Sequence, residues 1–284
     1  MAEEAALKSS NFVLGGLTQT AAQQRTARAP YGPPGQQGYG YDYSMSGAYP
    51  SVAPPQVGGA MTIDDVVVRT VGLLTLTGVV GAVSWLLLPT ATATQRVALF
   101  GSMIVGLILV LAISFMRITN PYLISAYAVV EGVFLGVVSK SYETLFSGIV
   151  LQAAVGTFAV FAGMALVYKS RVIRVTNGFT KVMIGIGFGI MGLFLLNLVL
   201  ALFGTDLGIF GDPTDGKVEL LPILLTLGIT VWGALTFLLD FKMVEEGVRL
   251  GAPRKFAWYA SFGILVGLIF MYLQLLRLLS LLRE

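Results

Sequence analysis

Asp240 closes an apolar run, 220–239, within Phe237-Leu-Leu-Asp240-Phe. A carboxylate at the edge of a hydrocarbon-length helix is expensive to desolvate, so it needs a partner, a proton or a water path. Ionised, it attracts cations. Glu131 is the second carboxyl of this kind, in Ala126-Tyr-Ala-Val-Val-Glu131-Gly. At the helical rise of 1.5 Å per residue it lies about 15 Å beyond Pro121, close to mid-bilayer. A carboxyl at that depth faces the bundle interior and stays neutral unless water or a cation reaches it. The plainer reading is a neutral Glu131 hydrogen-bonded to a neighbouring helix. Arg117 ends another run, 97–116. Arg117 and Asp240 both fall at predicted helix ends on one side. Either they pair and hold two helices together, or each reaches the headgroup region separately, the arginine by snorkelling; the sequence leaves both open.

The rest of the composition removes chemistry. The chain of 284 residues has no cysteine and no histidine. That excludes disulfides, thiol nucleophiles, Cys/His metal sites and Ser-His-Asp catalysis. No phosphate-binding loop motif occurs, so neither an enzyme nor a cofactor is expected. A net charge of +3 with no broad basic field gives no reason to expect nucleic acid. The chain is 56% hydrophobic and 12% charged, with a mean hydropathy of +0.82. Soluble domains are about 45–50% apolar and about 25% charged, so this is a multi-span membrane protein whose first partner is the lipid bilayer.

The elements that must position these residues follow from the apolar runs. Residues 1–61 are expected to form a tail, rich in Gly, Pro, Tyr and Gln, that cannot bury enough apolar surface to order itself. Residues 62–284 form the membrane domain. Thr62, followed by Asp64 and Asp65, is a helix start with acids in the first turn. Apolar runs then cover 71–89, 97–116, 121–138, 148–168, 182–204, 220–239 and 256–276. Each is near the ~20 residues needed to span, which predicts an all-α bundle of seven transmembrane helices. Asn120-Pro121 makes a turn. The GxxxG pairs Gly132/Gly136, Gly185/Gly189 and Gly263/Gly267 are read as helix packing, as are Trp85 and Trp232, while Trp258 fits an interfacial belt. Thirteen of the 18 lysines and arginines fall in the tail and in the loops after the second, fourth and sixth helices. In the cell membrane, where the chain is expected, the positive-inside rule then predicts a cytoplasmic N-terminus and an external C-terminus.

Four stretches together resemble the Bax inhibitor-1/YccA family of membrane proteins. They are Ile113-Ser-Phe-Met-Arg117, Glu131-Gly-Val-Phe-Leu-Gly136, Phe237-Leu-Leu-Asp240-Phe and Tyr272-Leu-Gln-Leu-Leu-Arg-Leu-Leu279. The likeness covers about residues 62–284, most like bacterial members with a Gly/Pro/Tyr-rich tail. It implies seven helices with one at the centre, and a pH-sensitive calcium leak across the membrane. In that activity the family uses an aspartate in helix six, an arginine after helix two and a second aspartate in helix seven. Asp240 matches the first and Arg117 the arginine. The place of the second falls at Gly267, and no acid occurs between Glu246 and Glu284. Glu131 is the other membrane carboxylate available to substitute.

The leading expectation is therefore a passive cation leak, with calcium as its ion and Asp240 as a weak, transit-type site. Calcium takes about 6–8 oxygen ligands, so one or two carboxylates hold it only loosely. The alternative is a non-conducting regulator or interaction protein of a membrane-bound protease, docking through the tail.

Overall fold

The computed structural model describes residues 59–89, 92–203 and 220–283. The expected tail, residues 1–61, therefore lies outside them except for its last three residues, and so does the acidic loop holding Asp206, Asp212, Asp215 and Glu219.

Thr62 starts the first helix through a capping box. Its hydroxyl accepts from Asp65 N at 3.1 Å, and its own N–H donates to the Asp65 carboxylate at 3.3 Å. Helix α1 runs Ile63–Leu87, α2 Ala93–Met116, α3 Pro121–Leu145, α4 Ile149–Lys169, α5 Asn177–Leu202, α6 Leu220–Arg249 and α7 Phe256–Leu281. All seven are long and apolar enough to cross a membrane. Arg117 ends α2 in a left-handed conformation, φ 48°. Asn120 then caps α3, accepting from Tyr122 N at 2.9 Å, with Pro121 at the first position, where its missing N–H costs nothing.

Two cap groups come from α3. Lys140 Nζ donates to the last carbonyls of α1, Trp85 O at 2.8 Å and Leu88 O at 2.6 Å. The Glu143 carboxylate accepts from Gly148 N and Val150 N at the start of α4. These charges serve helix termini that an apolar sequence leaves unsatisfied.

The seventh helix is the centre. It packs against α1, α3, α4 and α6, while α2 lies against α3 and α5 against α6 at the periphery. Its Ala260, Leu265, Met271 and Leu276 are fully buried. It is apolar all round, as a helix surrounded by others must be. Ser261 ties it to α1, donating to Val66 O at 3.0 Å. Because lipid tails are as apolar as leucine, helix association here rests on close packing rather than on a hydrophobic drive. The α1–α3 contact shows this. A Cβ on Gly136 would meet Gly81 O at 2.4 Å, and one on Gly132 would meet Thr77 O at 2.8 Å. The second GxxxG pair is different: Gly185 and Gly189 face open space. What seats α5 is Trp232 of α6, whose ring lies on Gly187 and whose Nε1 donates to Met183 O at 3.0 Å.

Residues 59–61, expected in the tail, belong to the bundle. Met61 N donates to Ala252 O at 2.8 Å, and Arg254 N donates to Gly59 O at 3.2 Å. Met61 is only 1% exposed, with its methyl group against Gly247. The Arg254 guanidinium meets the Asp65 carboxylate at 2.8 Å. The chain entering α1 is thus strapped to the α6–α7 loop.

Candidate functional site

Asp240 does not lie at a helix end. Helix α6 continues to Arg249, well beyond the apolar run that stops at Leu239. The charged residues that end the run are good helix formers, and Lys242 and Glu246 pair one turn apart at 3.7 Å. The helix stops only before Gly251, whose φ of +64° favours glycine, and Pro253. Asp240 therefore sits inside α6 and faces α7.

Its carboxylate rests over bare helix backbone. A Cβ built on Gly263 would lie 3.4 Å from Oδ1, and one on Gly267 would lie 3.4 Å from Oδ2. The third GxxxG pair is thus the floor beneath a carboxylate. Phe237, one turn earlier, covers Gly267 with its ring edge 2.9 Å from the Cβ position, and the Met243 methyl group closes the other end over Gly263 at 3.4 Å. The side chain is half-buried. Among the described residues no hydrogen bond or ion pair reaches it.

The structure does not bring Arg117 to this place. The backbones of α2 and α6 nowhere approach each other among the described residues. Arg117 is exposed at the end of α2 and forms no ion pair there. The pairing expectation gives way to the separate one, for a topological reason: α3 and α7 intervene. Glu131 is also elsewhere. It projects from α3 onto α2, where its Oε1 would lie 2.8 Å from a Cβ on Gly106. Tyr127 stands one turn earlier on α3. It packs edge-on against Phe262 of α7 at 5.1 Å. Since α3 and α6 share no approach either, Glu131 does not take the place beside Asp240.

Four residues described above had no site role in the sequence reading. Tyr127 carried a usable signal, its four-residue spacing from Glu131. Gly263 and Gly267 carried one only in part, because GxxxG reads as packing whatever lies opposite. Met61 carried none, since its burial depends on where the α6–α7 loop returns.

Chemically, one carboxylate over two glycines offers two oxygens against bare helix backbone, with the Phe237 ring and the Met243 methyl group closing the ends. It can take a proton or associate loosely with a cation. It is far from the about 6–8 oxygens of a calcium storage site. Among known families, the one described as Bax inhibitor 1 like matches residues 11–284. The match reaches upstream of the membrane helices and takes in much of the Gly/Pro/Tyr-rich stretch. No curated protein matches the chain.

Proposed function

The chain belongs to the Bax inhibitor 1 like family, and from that premise we propose that it is a passive cation leak in the cell membrane, with calcium as the ion and Asp240 on its path. The observation that carries this reading is the Asp240 carboxylate, inside a membrane helix, with no protein partner among the described residues and only glycine beneath it. An uncompensated charge in that setting is costly. It is relieved by a proton, a cation or water, and exchange among these is what conduction uses. Calcium engages the single carboxylate, keeps most of its water and moves on, as weak binding allows. Protonation removes the charge, so flux falls as the medium is acidified. Glu131, between α2 and α3, contributes only if water connects it to the same path. The excess of basic residues in the tail and even-numbered loops supports a cytoplasmic N-terminal side and an external C-terminus.

The test is calcium entry into liposomes containing the purified chain, followed across a pH series. Wild-type protein should pass calcium, less so at acid pH. Asp240→Asn keeps the shape and removes the charge, so flux and its pH dependence should be lost together. Equal flux through both proteins removes Asp240 from the path. One observation favours a second reading: the family's second aspartate position is Gly267, and among the described residues no other carboxylate reaches Asp240. If wild-type liposomes pass no calcium, the chain acts as a non-conducting interaction protein, a regulator of a membrane protease docking through its tail. Deletion of residues 1–58 separates the two, since it spares a leak and abolishes tail-mediated regulation.

A further inference from the structure

On the same face as the α6–α7 loop, the ten-residue extension of α6 and the α4–α5 loop enclose a cleft of about 750 Å³. Five cations and two carboxylates line it. Both carboxylates are engaged: Glu245 accepts from the Tyr168 hydroxyl, and Glu246 pairs with Lys242. Lys242 also donates to Val175 O at 3.0 Å, which fixes the loop to α6. The remaining four, Lys169, Arg171, Arg174 and Arg249, form no side-chain hydrogen bond or ion pair among the described residues. Arg171 adopts a left-handed conformation, φ 53°, just past the end of α4, and this bend turns the loop so that Arg171 and Arg174 share one cleft with Arg249.

The cleft lies where a spanning helix ends. Lys169 is the last residue of α4, and the loop between the two arginines carries Val172, 75% exposed. Leu250, beside Arg249, is 76% exposed. Bare aliphatic side chains next to unpaired cations at a membrane boundary suit a surface that is apolar on one side and anionic on the other. Arginine forks match phosphate oxygens in pairs. We propose that this cleft binds the phosphate headgroup of an anionic membrane phospholipid, with Arg171, Arg174 and Arg249 on the phosphate and Val172 among the upper acyl carbons. The site is distinct from Asp240, and its occupation does not depend on whether the chain conducts.

The experiment uses the full chain, purified in neutral detergent, and counts retained lipids by native mass spectrometry. Phosphatidylglycerol is compared with phosphatidylcholine of the same chain length, and soluble glycerol phosphate serves as the free-phosphate arm. The wild-type chain should retain phosphatidylglycerol in clear preference, and glycerol phosphate should not displace it at matched concentration. Each basic residue near an anionic surface is worth about fivefold in binding, so Arg171→Gln with Arg174→Gln should lower the preference about 25-fold. Arg249→Gln should lower it about fivefold from a separate helix. Arg96→Gln, exposed at the start of α2 on the opposite face, should leave it unchanged. Equal retention of both lipids by the wild-type chain, or an undiminished preference in the double variant, overturns the proposal. Displacement by glycerol phosphate also overturns it, because the cleft then takes free phosphate rather than a lipid.

Discussion

Replacing Gly136 by alanine tests whether close backbone packing holds this bundle together. The added methyl group would sit 2.4 Å from Gly81 O and 2.9 Å from Ser84 Cβ, where an ordinary contact is 3.4–4 Å. Helices α1 and α3 must therefore part by about 1 Å, since the nearest atom is a main-chain carbonyl that no rotamer change can move. Overpacking costs about 1–3 kcal/mol, and an obstacle of backbone places this case at the upper end. Alanine returns about 0.5–1 kcal/mol of helix preference over glycine. The net loss is then about 2 kcal/mol. Gly185→Ala supplies the reference, because nothing lies within 4 Å of its added methyl group. It should be neutral or stabilising by up to about 1 kcal/mol, which sets the two variants about 2–3 kcal/mol apart. Reversible unfolding in mixed micelles, with SDS titrated in and helicity followed by circular dichroism, reads that gap directly. Equal midpoints for Gly136→Ala and Gly185→Ala would refute the view that α1 and α3 meet backbone to backbone.

Three further outcomes follow from the same geometry. Lys140→Met removes two charge-assisted bonds to the end of α1, so it should cost about 1.5–3 kcal/mol in the same unfolding assay; a wild-type midpoint means the cap is idle. Gly267→Asp, which restores the family's second carboxylate, places its Cβ 2.9 Å from the Phe237 ring, and should destabilise by about 1–3 kcal/mol. Adding Phe237→Leu should cost less than the sum of the two single changes, and simple additivity would show that the ring is not the obstacle. Arg117→Ala and Asp240→Ala should add within about 0.3–0.5 kcal/mol in detergent stability, as separated sites do; a coupling above about 1 kcal/mol would place the two groups in contact.

The number and order of helices are written in the apolar runs, because a span must be long and continuous to satisfy its backbone in lipid. Helix starts are legible where a polar cap serves them, as at Thr62 and at Asn120-Pro121. The far end of α6 was not, since hydropathy marks the limit of the hydrocarbon and not of the helix. Residues 240–249 leave the apolar run, yet Lys242, Met243, Glu245, Glu246 and Arg249 favour a helix. Asp240 could be singled out as a costly charge. What surrounds it could not, because its floor comes from α7 and the intervening α3 and α7 decide that Arg117 and Glu131 stay away. The three GxxxG pairs look alike in sequence and differ in space: one packs two backbones, one faces open space, and one lies under a carboxylate. Spacing along a single helix carries no record of which neighbour comes opposite.

The strap between residues 59–65 and the α6–α7 loop has a mechanical consequence. A pull on the chain upstream of Gly59 does not act on α1 alone. It is delivered through Met61 and through the pairing of Ala60 with Pro253 to the turn that joins the helix bearing Asp240 to the helix bearing Gly263 and Gly267. The separation of those two helices sets how much room the carboxylate has. A load on the chain before Gly59 would therefore reach the α6–α7 turn first, and through it the clearance over two glycines.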